Sequence, residues 1–506
     1  MQVKIGHATP LYLTADIRRI EARHAHVSLM ERAGLAAAQL ARTLAGDSGK
    51  PILIVAGPGN NGGDGFVAAR YLKQWFHAVT VVFCGEVAKL PHDAAGAYAR
   101  WRAAGGTTVD HLPSSSGGWS LVIDALFGIG LKRKIEGTYA GWINTINTIN
   151  TISTIGAPVL AIDIPSGLDA DTGQIHGHGY CVRATHTLTF IGAKPGLLTL
   201  DGPDYCGTIL VDDLQLPSDT DAGPGSALGA ATHTLEPRLR NTHKGSHGSV
   251  GIVGGDSGMA GAVLLAGRAA LKLGAGRVYV GLIASDAPQV DAAQPELMLR
   301  SADAVLKLDH LSCLVVGPGL GQSADAFFYV QWALEWAQAS RLPLLIDADA
   351  LNTIAASDKL KRSLKQLVTA IILTPHPAEA ARLLGCGTHA VQANRIAAAS
   401  AISEQYHTHV VLKGAGSICA SPDTTWRINT SGNPGMASGG MGDVLSGIIA
   451  ALIAQGAAPQ RAMDTAVWLH GAAADACVAA GVGPVGLTAG ETIDAARSLL
   501  NTGAVW

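Results

Sequence analysis

The chain has 506 residues, too many for one hydrophobic core, and its 48% apolar and 15% charged content is that of a globular protein. A formal charge of −3, with no dense Lys/Arg run, argues against nucleic acid as the main partner. The longest apolar runs, such as residues 448–453, are too short to span a bilayer, and residues 1–10 lack the apolar centre of a signal peptide. A cytoplasmic protein without a membrane partner is therefore expected.

In chain order, residues 14–45 read as helical, because Ile17, Ile20, Leu29, Met30, Ala33 and Ala37 recur at helical spacing. Strand candidates follow at 51–56, 79–84, 121–125, 158–164 and 185–190, with helical stretches between several of them. That alternation predicts a parallel sheet covered on both faces. Residues 144–155 read NTINTINTISTI, whose three-residue period matches neither helix nor strand. They are expected to be a low-complexity stretch without a chemical role.

From 217 to 232 the chain is rich in Gly, Ser, Pro and Asp, and this is the predicted linker between a domain at 1–216 and another at 233–506. In the second half, strands are predicted at 249–253, 277–281, 312–316, 343–346, 371–373 and 409–412. Helices fill the gaps at 261–273, 390–404 and 441–453. The fold class is α/β in both domains. The seven cysteines form no Cys-x-x-Cys pair, so they read as small buried hydrophobes rather than zinc ligands or disulfides.

Of the 62 glycines, many cluster at the ends of predicted strands. GPGNNGGDGFVAARYL (57–72) joins a strand to a helix, where glycines let the backbone approach a phosphate and the helix dipole attracts it. It is neither a dinucleotide fingerprint nor a P-loop. DALFGIGLKRK (124–134) and AIDIPSGLDADTG (161–173) close two further strands. The carboxyl ends of such strands converge on one crevice, which brings Asn61, Asp124, Asp163 and Ser166 within reach of one another. Alone, Asp163 is equally a turn or cap residue, and Lys194, before Pro-Gly, equally a solvated turn lysine.

Together with SLMERAG (28–34) and TLTFIGAKPGLL (187–198), these motifs resemble the NAD(P)H-hydrate epimerase domain, over roughly residues 5–216. The resemblance implies a Rossmann-like three-layer sandwich that interconverts the two configurations of the hydrated nicotinamide ring. Substrate binding then maps onto Asn60, Asn61, Gly62, Gly63 and Asp64, onto Asp163, and onto Gly128, Ile129, Gly130, Leu131, Lys132, Arg133 and Lys134. Potassium ligands map onto Asn61, Asp124 and Ser166, which are hard oxygen donors. The hydrate's hydroxyl lies beside the ring nitrogen, so its loss as water leaves an iminium open to attack from either face. Asp163 is the expected catalytic carboxylate, with Lys194 as its partner. Ile129 departs from the threonine usual in that family.

The second half carries VVGPGLG (315–321), IDADALN (346–352), LTPHPAEAARLLG (373–385), VVLKGAGS (410–417) and NPGMASGGMGDVLSGIIAAL (433–452). The glycines of SGGMGD open a helix, which makes an anion hole with Asp443 just inside it. The competing reading of that run is a plain helix cap, and that of His376 a buried histidine satisfied by backbone. The set is similar to the ADP-dependent NAD(P)H-hydrate dehydratases, members of the ribokinase-like α/β group. The resemblance implies that Asp443 is catalytic and binds hydrate with Ala262, Gly319 and His376, while Lys413, Gly414, Ala415, Gly416, Ser417 and Gly442 bind the nucleotide. Met441 stands where Thr or Ser is usual. The expected ligands are ADP with Mg2+ and the hydrates of NADH and NADPH, and the expected assembly is a homo-oligomer. A vitamin-precursor kinase, or a first domain acting as an inert scaffold, are the alternatives; the scaffold versions lose the carboxylate that is present here as Asp163.

Overall fold

The computed structural model describes residues 2–113, 118–151, 156–217, 223, 225–230, 235–236 and 238–502. Positions 218–222, 224 and 231–232 of the predicted linker, and 152–155 of the triplet repeat, lie outside the described residues. Two compact units result. The first ends at Gly225; the second begins at Ser226 and also takes in Gly6–Ala8.

The first unit is built on a sheet in the order Gln2–Lys4, Thr208–Asp212, His186–Phe190, Val159–Ile162, Leu121–Ala125, Ile52–Ala56, Val79–Val82, Thr108–Val109. All neighbours are parallel except Gln2–Lys4, which runs antiparallel to Thr208–Asp212. The central strands ILIVA, LVIDA and VLAI are buried at every position, as a sheet covered on both faces requires. Alternate residues serve opposite faces. Ile52, Ile54, Ile123 and Leu160 pack against helices Leu29–Ala45, Asn60–Gln74 and His92–Ala103. Leu53, Val55, Val122 and Val159 pack against Trp142, Ile143 and Ile146 of helix Gly137–Thr151.

Three expectations need correction here. The predicted helix 14–45 is two helices, Thr14–Arg23 and Leu29–Ala45, because His24, His26, Val27 and Ser28 form a weak helical run that turns instead. The triplet repeat is helical as far as Thr151. A step of three residues drifts only about 60° around a helix, so Ile143, Ile146 and Ile149 stay on one side, with the first two fully buried. Asn147 ties this helix down by donating from Nδ2 to Cys181 O at 3.0 Å and accepting from Arg183 N at 2.8 Å. Of the cysteines, Cys84 and Cys386 are exposed, each just beyond the end of an element.

The second sheet runs Met298–Ser301, Arg277–Leu282, Ser249–Gly254, Cys313–Val316, Leu344–Ile346, Ile371–Leu373, His409–Leu412, then Ile418–Ala420, Trp426–Asn429 and Gly225–Leu228. It is parallel as far as His409–Leu412 and continues as an antiparallel hairpin. Gly225–Leu228 falls inside the predicted linker; with Leu228 its one large apolar residue it gives no periodic signal, yet Ala227 and Leu228 are buried. The predicted helix 390–404 is divided at Asn394, whose Oδ1 accepts from Ala397 N at 2.9 Å and starts Arg395–Tyr406. Met441–Ala454 is apolar on nearly all sides and forms the centre of this unit's core. Among the described residues no helix is long and apolar enough to cross a membrane.

The packing of the repeat helix is directly testable. Ile146→Ala is expected to destabilise the first unit by about 2–5 kcal/mol, the usual effect of emptying a packed aliphatic site. The exposed Thr148, changed to Ala, should stay within about 0.5 kcal/mol of the parent. Urea unfolding of the two variants checks both values.

Candidate active sites

In the first unit the carboxyl ends of the central strands open onto a cleft of about 1210 Å³. The break after Thr14–Arg23 supplies Ala25, His26, Val27 and Ser28 to one wall, while Asn60, Asn61 and Asp64 enter from the start of helix Asn60–Gln74. That helix can start so close to the strand because Gly57 and Gly62 lack side chains. A Cβ at Gly62 would lie 2.0 Å from Gly57 O, and one at Gly57 only 1.8 Å from Leu126 O. Gly62 and Gly63 serve packing, the latter against Met30, and do not line the cleft.

Strand Val159–Ile162 delivers Asp163 to this cleft with φ +68°, a left-handed conformation that costs a non-glycine residue roughly 1–3 kcal/mol. The conformation is held by the Asp163 N–H donating to Leu188 O at 2.7 Å. The Asp163 carboxylate receives two donors: Lys194 Nζ reaches Oδ1 at 2.9 Å and the Ile129 N–H reaches Oδ2 at 3.0 Å. Lys194 is no solvated turn residue. Its side chain is 0% exposed, and Nζ also donates to Thr189 Oγ1 at 2.7 Å and Phe190 O at 2.8 Å. All three ammonium protons are thus placed. Ile129 contributes its backbone N–H, so the missing threonine hydroxyl does not disturb this bond; its side chain packs near Tyr12, Ile17 and Ile20.

Beside this pair, Asp124 is fully buried. Its Oδ1 accepts from Ser166 Oγ at 2.7 Å and Leu126 N at 3.2 Å, and its Oδ2 from Ser166 N at 2.8 Å. Burial nevertheless pushes the Asp124 carboxyl up to about 6, against the pull of the Ser166 bonds. Asn61 is buried with neither amide atom partnered among the described residues. Gly128 brings the groups together: a Cβ there would lie 2.7 Å from Asp163 Oδ2 and 3.3 Å from Asn61 Oδ1. Gly130, Leu131, Lys132 and Arg133 continue the cleft wall, whereas Lys134 turns toward Gly177 and Gly179 and pairs with Glu136 at 3.6 Å. Arg18 and Glu21 also line the cleft; no motif marked them.

The second unit assembles its site in the same way. Asp347, at the end of Leu344–Ile346, is 1% exposed and accepts from Lys413 Nζ at 2.8 Å through Oδ1 and from Ser446 Oγ at 2.8 Å through Oδ2. Burial opposes the charge on Lys413, but Asp347 and Glu379 outweigh it and hold its pKa above the usual lysine value. A Cβ at Gly442 would sit 3.2 Å from Lys413 Nζ, which sets that lysine against the first turn of Met441–Ala454. In that turn Asp443 is raised to about 6 by burial and then by Asp347, with Lys413 opposing. Met441 is buried in the core, so only its backbone faces this chemistry.

His376 caps helix Pro377–Leu384: its Nδ1 accepts from Ala378 N at 3.1 Å and Glu379 N at 3.3 Å. The proton therefore sits on Nε2, which lies 3.2 Å from Glu379 Oε1, and burial together with Lys413 lowers the ring's pKa. Glu379, which no sequence argument singled out, is a buried carboxyl raised to about 7 by desolvation. Arg395 also went unnoticed. It lies buried under the loop of Gly414, Ala415, Gly416 and Ser417, and its Nη2 donates to Leu412 O and Lys413 O, both at 3.4 Å. Ser417 Oγ closes that loop by donating to Gly414 O at 3.0 Å. Gly319 and Ala262 meet each other, since a Cβ at Gly319 would lie 3.2 Å from Ala262 Cβ.

The chain is similar to several known proteins along nearly its whole length. A family described as NAD(P)H-hydrate dehydratase matches residues 250–493, and one described as YjeF-related protein N-terminus matches 26–196. A bifunctional NAD(P)H-hydrate repair enzyme of Escherichia coli (strain K12) is 38% identical over 520 residues, covering 99% of this chain and 95% of that one. Its counterpart in Coxiella burnetii is 37% identical, over 97% of this chain and all of the relative. Among solved structures, an ADP/ATP-dependent NAD(P)H-hydrate dehydratase from Bacillus subtilis, co-crystallised with ATP/Mg2+, is 28% identical. It covers 53% of this chain and 94% of its own, with a TM-score of 0.45. On the near full-length identity to these relatives, the chain belongs to the bifunctional NAD(P)H-hydrate repair enzymes.

Proposed function

We propose that residues 1–216 epimerise the R and S hydrates of NADH and NADPH, and that residues 233–506 dehydrate the S form at the expense of ADP, with 217–232 joining them. The observation that carries this reading is the pair of acid-bearing strand-end sites: Asp163 locked by Lys194 in one, and Asp443 beside the Lys413–Asp347 pair in the other. The two reactions complement each other, because a dehydratase selective for one configuration leaves half of a racemic hydrate untouched. We place the enzyme in the cytoplasm as a homo-oligomer, following the family.

In the first site the Asp163 carboxylate faces the ring carbon that bears the hydroxyl, and Lys194 fixes its orientation. Asn61, Asp124 and Ser166 would hold a potassium ion. The fit rests on the unpartnered, buried Asn61 Oδ1 and on the all-oxygen donor set. Such an ion supplies positive charge where an anionic substrate is seated. Asn61 Nδ2 is left to donate to that substrate.

In the second site Asp443 takes the proton from the hydrate's hydroxyl as its oxygen bonds to the terminal phosphorus of ADP, and the bond to AMP breaks. A carboxylate near pKa 6 is well matched to that task at neutral pH. Lys413 and the N–H groups around Gly440 and Gly442 stabilise charge on the transferring group. The phosphate ester is then lost with the electron pair of the ring nitrogen and a ring proton assisting, which yields NAD(P)H and phosphate. Magnesium bound with the nucleotide would neutralise its phosphates.

Purified protein with ADP and Mg2+ should convert a racemic NADPH hydrate mixture completely, followed at 340 nm. Asp163→Asn should stop at about half, and Asp443→Ala should abolish NADPH formation while R/S interconversion continues. A normal dehydration rate in Asp443→Ala removes that residue from the mechanism. The pH profile of dehydration kcat/KM should fall on the acid side through about 6, where Asp443 becomes protonated; a limb near 4 would show an unperturbed carboxyl instead. Lys194→Met leaves Asp163 as a largely buried charge without its counterion. It is expected to cost about 3–5 kcal/mol in stability and to slow epimerisation, as calorimetry and chiral chromatography would show.

A further inference from the structure

Asp163 alone is poorly arranged for both halves of an epimerisation. One of its oxygens receives Lys194 Nζ and the other the Ile129 N–H, so what it offers the cleft is acceptor capacity. Loss of hydroxide from a carbon needs a donor. Asp64 lines the same cleft from the first turns of helix Asn60–Gln74. Its carboxyl makes no hydrogen bond or ion pair with the described residues, and the ammonium of Lys194, which lines the same cleft, is already held by three acceptors. The backbone at Asp64 is pinned, since Gly34 of the neighbouring helix packs against its carbonyl and Gly65 against Ala125. A carboxyl so placed is left to bond to water or to a ligand in the cleft.

We propose that Asp64 is a second catalytic carboxyl of this cleft, the one that gives its proton to the departing hydroxyl, while Asp163 takes the proton from the water that returns. The inference rests on the epimerase reading and deepens it. Burial, the charge of Asp163 and the charge of Glu21 all hold the Asp64 carboxyl well above the usual range, which keeps the acid form at hand. Two carboxyls in one site with opposed environments are the usual basis for dividing acid and base roles.

The step balances without a further reagent. The C–O bond breaks as the ring nitrogen's lone pair forms C=N, and the Asp64 O–H proton goes to the leaving oxygen, releasing water. A water then bonds to the opposite face of the carbon, the C=N electrons return to nitrogen, and the water's proton passes to Asp163. Proton exchange with solvent restores the starting forms. Run in reverse, the two carboxyls exchange roles, as interconversion of two configurations demands.

The test uses the full-length enzyme and measures R/S interconversion of NADPH hydrate by chiral chromatography, with no nucleotide added. Asp64→Asn should lose about 10²–10⁴ in kcat with KM changed only a few-fold, and Asp64→Ala should regain activity in proportion to added acetic acid at fixed pH. Asp163→Asn should be inactive and gain nothing from acetic acid. Melting curves report folding, and if the amide variant is unfolded, Asp64→Glu retains the acid and should stay active. An Asp64→Asn enzyme with parental kcat, or one that loses only KM, overturns the acid role and leaves the epimerase reading standing. A parental enzyme unable to interconvert the hydrates overturns both.

Discussion

A lysine ammonium drawn into a fold needs acceptors and a counter-charge close by, and each unit supplies an aspartate to one such lysine, Asp163 to the fully buried Lys194 and Asp347 to the largely buried Lys413. In the first, Lys194 is reached by Asp163, Thr189 and Phe190, which come from the ends of two adjacent strands and the loop between them. In the second, Lys413 is met by Asp347 from a strand two places away in the sheet. Neither pair is cheap, because desolvation of two charges offsets most of their attraction. Their return is positional: each fixes one aspartate at the mouth of a parallel sheet, where the strand ends converge.

Around those fixed pairs the remaining carboxyls are left crowded and poorly solvated. Asp443 and Glu379 lie near Lys413 and Asp347 and are raised to about 6 and 7, while Asp64 sits near Asp163 and Glu21 and is also raised. A carboxyl that titrates near neutrality can both hold and release a proton during turnover, whereas an ordinary surface carboxylate is ionised throughout. Charge pairing and burial thus act on different members of the same cluster, and the contrast between them is what makes the sites chemically useful.

Much of this was legible in the chain. Runs such as ILIVA and VLAI could only be strands buried on both faces, and the glycine loops at their ends had to be sites of close backbone approach. Asp163, Asp443 and the KGAGS loop stood out through the resemblance their motifs carry, since Asp163 by itself reads equally as a turn residue. Gly128, read as part of a substrate loop, proves to be where Asn61 and Asp163 draw together.

What only the tertiary structure decided concerns residues whose meaning depends on distant neighbours. Lys194 reads in sequence equally as a turn lysine and as a partner of Asp163, and its complete burial depends on a counter-charge, Asp163, that lies 31 residues away. Arg395 and Glu379 lie on unremarkable helical stretches, and only the fold buries the first under the Gly414 loop and the second within reach of the Lys413 and Asp347 charges. The helix through the triplet repeat formed because Ile143 and Ile146 had a sheet face to bury against, which outweighs an imperfect period. Local pattern is set by side-chain chemistry repeated along the chain, so sequence alone determined most of the elements and the loops where the backbone comes close to its surroundings. Burial and electrostatic environment belong to three-dimensional neighbourhoods, so they were decided only when the sheets brought the strand ends together.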